Sequence, residues 1–355
     1  MNIPELQKQA IDLLKNLIQT PSFSGEEDGT AKLLENWFIA HEIPFNRHLN
    51  NVWAKNSCFD ETKPTLLLNS HHDTVKPNSG YTRDPFEATV EAEKLYGLGS
   101  NDAGGCLVSL LAAFTWLYEA EDLNYNIIFA GTAEEEINGE NGIACLLPII
   151  PKIDVAIVGE PTLMQLAISE KGLVVFDAFV KGTPSHAAHP NNDNSIYKAA
   201  RAIQWFENFS LEKVSESLGE VKLTVTQINA GSQHNVVPAR VHLVLDVRVN
   251  DCYTNAEIEQ ILRENAPVDE IKARSLRLNS SSIPEDHDLV KAGVSQGMKT
   301  YGSPTLSDQA MLKCPSLKLG PGDSTRSHSA NEYIYVKVIE EGIEKYIELL
   351  KKALK

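Results

Sequence analysis

Cysteine is scarce and unpatterned: Cys58, Cys106, Cys145, Cys252 and Cys314 are odd in number and never spaced as Cys-x-x-Cys. That spacing excludes a disulfide framework and a thiolate zinc site, and leaves packing thiols of a reducing compartment. Long apolar runs are missing too. No stretch approaches the about 20 residues that a membrane helix needs, so no membrane partner is expected. The opening MNIPELQKQAIDLLKNLIQTPS interleaves acidic and polar residues with apolar ones and lacks the basic start, hydrophobic block and cleavage site of a secretory signal. A cytoplasmic protein is the expectation. Basic charge is in deficit: 48 acidic against 32 basic residues give a formal net charge of −16. A field of that sign repels phosphate backbones and anionic lipid but concentrates divalent cations, so nucleic acid is not an expected partner.

What is present is ordinary globular material. At 355 residues, 42% apolar and 23% charged, the chain is neither disordered nor fibrous and is long enough for two cores. Ile3, Leu6, Ala10, Leu13, Leu14 and Leu17 recur at helical spacing up to Pro21, and a second helix is expected from about Glu26 to His41. The runs TLLLN (65–69), NIIFAGT (126–132), VAIVGE (155–160) and SLKLG (316–320) are short and apolar on both faces, the texture of a buried, largely parallel sheet. AGGCLVSLLAAFTWLYEA (103–120) reads as a crossover helix between two of them. Residues 173–282 alternate differently, in the order β-α-β-β-α-β, with the last strand around 271–279. That order describes a ferredoxin-like α+β unit. The expected class is therefore α/β, with a discontinuous catalytic domain (1–172 and 283–355) and an inserted second domain (173–282).

The chemistry follows the buried strands. After TLLLN comes SHHDT with His71, His72 and Asp73. Asp102 precedes the crossover helix, Glu134–Glu136 follow NIIFAGT, Glu160 ends VAIVGE, and His328 closes GPGDSTRSH after SLKLG. In open α/β sheets that carboxyl edge is where ligands bind. Gathering so many carboxylates is costly unless a positive charge compensates, and a pair of divalent cations does so. Imidazole and carboxylate ligands without thiolate suit zinc, cobalt or manganese. Asp102 is the natural bridge between two such ions, and two adjacent glutamates can divide the work, one binding metal and the other moving a proton.

Five blocks in order carry a resemblance: SHHDTV, LYGLGSNDAGG, TAEEE, VGEPT and GPGDSTRSHSANE. The chain resembles the acetylornithine deacetylase and succinyl-diaminopimelate desuccinylase family of zinc amidohydrolases, kin to aminoacylases and carboxypeptidase G. The resemblance implies that His71 and Glu160 hold one metal, Glu136 and His328 the other, and Asp102 bridges. It makes Asp73 the residue that orients His71, and Glu135 the general acid and base, with Glu134 where the family usually has Asp. It makes the inserted domain a lid through which a homodimer forms. His186 in GTPSHAAHP would polarise the substrate carbonyl from the neighbouring subunit, and Asn235 and Arg248 would meet the substrate. The implied reaction is hydrolysis of a small N-acyl-L-amino acid, nearest to N-acetylornithine deacetylation in arginine biosynthesis. N-acetyl- or N-succinyl-citrulline, N-acetyl-lysine, succinyl-diaminopimelate and peptide substrates are alternatives, as is a silent homologue that only binds a metabolite or partner.

The chain departs from the family pattern at Ala103-Gly104-Gly105, where the family commonly has Met-Lys-Gly, and at Pro304–Asp308, where it has Gly-Gly-Thr-Ser-Asp. Simpler roles also stand beside the functional ones. Asp102 suits a helix N-cap, and Arg248 in an alternating strand suits pairing with a surface carboxylate. His41, His48, His189, His234, His242 and His287 carry no motif.

Overall fold

The computed structural model describes residues 2–355. They form two compact units: the first contains the residues up to Ile168 with Ser282–Tyr301 and Ser307–Lys355, the second Ser169–Ser281 with Gly302–Leu306.

In the first unit a mixed sheet runs in the order Phe45–His48, Asn51–Lys55, Asn126–Thr132, Thr65–His71, Val155–Val158, Ser316–Lys318, Leu166–Glu170. The four strands from Asn126–Thr132 to Ser316–Lys318 are mutually parallel and buried along their whole length, as their unbroken apolar runs require. The expectation of a largely parallel sheet therefore holds at the centre and fails at the flanks. Asn51–Lys55 is antiparallel to both its neighbours, and Leu166–Glu170 is antiparallel to Ser316–Lys318. The first reversal is a tight hairpin at Leu49-Asn50, with φ 53° at Leu49. Register aligns the carboxyl ends of the parallel strands: His71 faces Thr132, Asn69 faces Val158, and Val158 faces Lys318.

Helices cover this sheet for reasons readable in their sequences. Ile3–Ile18 starts on Asn2, whose side chain accepts from Glu5 N, has Pro4 in its first turn, and buries Leu6, Ala10, Leu13, Leu14 and Leu17. Gly105–Leu117 is shorter than the expected 103–120 because Ser100–Gly104 forms a turn of its own, with Asp102 and Ala103 outside helical φ/ψ. Glycine is needed there: a Cβ on Gly104 would lie 2.5 Å from the Gly99 carbonyl oxygen. Beneath the sheet, the Phe38 ring packs against Phe45, Phe114 and Phe129 at centroid distances of 5.7, 6.3 and 6.0 Å.

The second unit is a four-stranded antiparallel sheet, in the order Lys222–Ala230, Arg240–Val249, Gly172–Lys181, Glu270–Ala273, with helices Ser195–Asn208 and Asn255–Asn265. Alternation puts Val174, Phe176, Ala178 and Val180 with Val241, Leu243, Leu245 and Val247 in its core, against Ala199, Ala202, Phe206, Ile258 and Leu262 of the helices. Thr254 and Glu257 close a capping box at the second helix. The last strand ends at Ala273 rather than near 279. Beyond it the Leu278 carbonyl accepts from Leu173 N at 2.9 Å and from Asn255 Nδ2 at 2.7 Å.

Phe38 is fully buried among three aromatic partners. Phe38→Ala is expected to lower the stability of the first unit by about 3–5 kcal/mol, read from its chemical-unfolding transition, with no change in the transition of the second unit.

Candidate metal centre

The strand ends bring His71, Asp73, Asp102, Glu135, Glu136, Glu160 and His328 close together. His71 is the last residue of its strand, with a side chain 1% exposed. Its Nδ1 lies 3.0 Å from the Asp73 carbonyl oxygen and 3.3 Å from Asp73 Oδ1. Nδ1 therefore donates, which turns Nε2 the other way. There Nε2 is buried without a hydrogen-bond partner, 3.5 Å from Asp102 Oδ1 and 3.9 Å from Glu160 Oε1. Asp102 spans the centre: its other oxygen, Oδ2, is 3.6 Å from His328 Nε2. His328 in turn meets Glu136 Oε2 at 2.9 Å.

Donor atoms of His71, Asp102 and Glu136 lie within 4.8 Å of one another, and so do those of His71, Glu135 and Glu160. Both glutamates after the Asn126–Thr132 strand thus face the same space, Glu136 paired with His328 and Glu135 grouped with His71 and Glu160. Asp102 does not cap the crossover helix. That helix begins at Gly105 with no side-chain cap, and the Asp102 carboxylate faces the two histidines.

Asp73 does more than orient one ring. Its Oδ1 accepts from Glu135 N at 3.1 Å, and its Oδ2 from Glu136 N at 3.2 Å and Ser24 Oγ at 2.7 Å. One buried carboxylate therefore fixes the imidazole and the backbone of both glutamates. Glu134 is turned away: in a left-handed conformation (φ 54°), its carboxylate accepts from Asn141 N at 3.0 Å and Asn141 Nδ2 at 2.9 Å. Its neighbour Glu135 is thereby free to face the centre.

The electrostatics describe a site short of positive charge. Burial, then the surrounding carboxylates, push Glu135 well above the usual carboxylate range. Burial and Asp102 push Glu160 up to about 8. Burial opposes protonation of His71, but Asp102 and Asp73 outweigh it and hold that imidazole well above its ordinary value. The bond to Glu136 lifts His328 to about 9. An unpartnered buried imidazole nitrogen among carboxylate oxygens, with no thiolate in the set, fits a divalent cation.

With this geometry the similarities are decisive. The model of peptidase family M20/M25/M40 matches residues 67–352. The chain belongs to this family. It is a metal-dependent hydrolase. It is 26% identical to a succinyl-diaminopimelate desuccinylase of Rickettsia bellii, across 96% of either protein. It is 28% identical to an acetylornithine deacetylase of Klebsiella pneumoniae, across 93% of this chain and 94% of that one. In fold it is similar to a dinuclear metal-binding M20 peptidase of Bacillus subtilis, with a TM-score of 0.76, 17% identity and 99% of each chain covered.

The remaining expected residues lie in the second unit. His186 pairs with Val236 in a short two-stranded bridge, and Ala187 N donates to the Asn235 carbonyl at 2.9 Å, so His186 and Asn235 are neighbours. Arg248 sits apart on the Arg240–Val249 strand, its guanidinium held two-fold by Asp246 at 2.8 and 3.1 Å. Binding a substrate carboxylate there requires exchanging that partner.

Some residues of the centre had no assigned role in the sequence. His72 is buried, with Nε2 donating to the Asn50 carbonyl at 2.9 Å and Nδ1 2.8 Å from Thr30 Oγ1. Burial drops its pKa to about 4, so Nδ1 is unprotonated and accepts from the Thr30 hydroxyl. Just below the ligands, Asp308 Oδ2 accepts from Asn69 Nδ2 at 3.0 Å and Thr132 Oγ1 at 2.8 Å. Its place in the Pro304–Asp308 loop, already notable as a departure from the family, was the available signal. Ser24 carried none.

In the metal-free protein at about pH 7, Glu160 near 8 and His328 near 9 both hold protons that ligation must remove. Cation uptake is therefore expected to release protons, and apparent affinity to rise as pH increases from about 6 to about 9. Calorimetric titration in buffers of different ionisation enthalpy measures this, and uptake without net proton release contradicts it.

Proposed function

We propose that this chain hydrolyses the amide bond of a small N-acyl-L-amino acid, with N-acetylornithine the foremost substrate and arginine biosynthesis in the cytoplasm its setting. The observation that carries the reading is the orphaned Nε2 of His71, buried between Asp102 and Glu160 beside the Glu136–His328 pair. In this reading His71 and Glu160 hold one cation, Glu136 and His328 a second, and Asp102 is shared, with zinc foremost and cobalt or manganese compatible with the same donors. Bound there, such ions acidify water and polarise an amide carbonyl.

The remaining work falls to the chain. Asp73 holds His71 and the Glu135–Glu136 backbone in place before substrate arrives. Glu135 takes a proton from the attacking water at a carboxylate oxygen as the new C–O bond forms. It delivers that proton to the departing nitrogen as the C–N bond breaks, leaving a carboxylate and a free amino acid. The second unit acts as lid and dimer surface, His186 donates to the carbonyl oxygen at the active site of the other subunit, and Asn235 and Arg248 select an amino-acid substrate by its polar groups. The likeness to curated deacetylases and desuccinylases supports an acyl-amino-acid substrate over a neutral amide.

A panel of N-acetyl- and N-succinyl-ornithine, -citrulline, -lysine and -diaminopimelate with simple dipeptides, read by amine release, is expected to show N-acetylornithine as the best substrate. Peptide cleavage without deacylation would move the protein to the peptidases. Glu135→Ala is expected to lower kcat by about 10²–10⁴-fold or more while metal content stays unchanged. A wild-type enzyme that is inactive on the whole panel with zinc or cobalt sinks the proposal and favours a silent, metabolite-binding homologue.

A further inference from the structure

Glu332 lies four residues beyond His328 and immediately before the Tyr333–Tyr335 strand, and it is 2% exposed. Its carboxylate takes three backbone N–H groups. Oε2 accepts from Gly99 at 3.1 Å, and Oε1 accepts from Asn101 at 2.8 Å and Asp102 at 2.9 Å. Its own carbonyl accepts from Gly97 N at 3.0 Å. All four donors belong to the segment that presents Asp102.

That segment has little else to hold its N–H groups. It precedes the crossover helix, and Asp102 (φ −117°, ψ 97°) departs from helical geometry, so its amide is not part of a helical ladder. The other side of the turn is tied by Asn101, whose Nδ2 donates to the Asp323 carbonyl at 3.1 Å and whose Oδ1 accepts from Asp323 N at 2.9 Å. An acceptor that satisfies three convergent donors is strongly favoured, because each abandoned buried donor costs its full desolvation. Burial and the nearby charge of Asp102 push Glu332 up to about 8, and the three backbone N–H groups oppose that shift.

We propose that Glu332 is a positioning residue for the metal centre: through the N–H groups of Gly99, Asn101 and Asp102 it fixes how the Asp102 side chain leaves the backbone, before any cation is bound. The inference rests on the reading of Asp102 as the shared ligand. It makes the turn a preformed part of the site rather than one organised by its ion.

Amide hydrogen exchange on the metal-free wild-type protein tests it without a variant. The amides of Gly99, Asn101 and Asp102 are expected to be protected to a degree comparable with the neighbouring Tyr333–Tyr335 strand; exchange as fast as in an open loop, slowed only when cobalt is added, overturns the proposal. Glu332→Ala removes the acceptor of all three donors. Those amides are expected to exchange at least about tenfold faster, with Leu66–Leu68 in the sheet unchanged. Cobalt affinity is expected to fall by about 10–100-fold, with an altered visible spectrum of the cobalt-loaded protein. Wild-type affinity and spectrum in this variant overturn the proposal, and if the variant does not fold, the metal-free wild-type measurement decides alone. A wild-type chain that binds no cobalt refutes the metal reading of the previous subsection, whatever the exchange rates show.

Discussion

Mutual repulsion among Asp73, Asp102, Glu135, Glu136 and Glu160, drawn together around the buried ring of His71, is the constraint to which the rest of the first unit answers. Five carboxylates cannot share a low-dielectric edge as bare anions. Asp73 is neutralised by donors, namely Ser24, the His71 ring and two backbone N–H groups, and is held low in pKa although it is buried. Glu134 is removed from the problem by a left-handed backbone that sends it to Asn141. Glu135 and Glu160 are pushed toward their protonated forms, while His71 holds Asp102 low. A charge of the opposite sign is the missing component, and the family to which the chain belongs supplies it as metal.

The layer beneath the ligands has its own accounting of polar groups. Asn69, two residues before His71 on the same strand, and Thr132, directly opposite His71, both donate to Asp308. The parallel register thus puts an ordered polar layer under the reactive one, so that strand ends which must be polar for chemistry do not open into the apolar core. The same alignment explains why ligands distant in sequence meet: each follows a strand end, and the strand ends are level.

Much of this was legible in the residues. Unbroken apolar runs marked the central strands, and the acids and imidazoles that follow them marked the site, because burial on both faces and ligand binding at carboxyl ends are local and topological rules. The antiparallel flanks were not legible, since Asn51–Lys55 is too short and too mixed to reveal its direction. The crossover helix was drawn two residues early because Asp102-Ala103 looks like a helix start until its φ/ψ are known. Ser24 and Asn141 were invisible for another reason: each acts through hydrogen bonds set by tertiary placement, one from Ser24 and two from Asn141, and no spacing announces them. Arg248, which the resemblance implies meets the substrate and whose alternating strand suits a carboxylate partner, is paired with Asp246.

The spread of the centre along the chain, from His71 to His328, has a consequence for how the protein is made. Synthesis proceeds from the N-terminus at about 5–20 residues per second, and domains tend to fold as they emerge. Here the Ser316–Lys318 strand inserts beside Val155–Val158, and His328 completes the Glu136 pair, only after the whole second unit has been translated. The nascent chain therefore carries the acids of the cluster without His328 while the second unit is made, and that unit has time to fold before the Glu136–His328 pair can close.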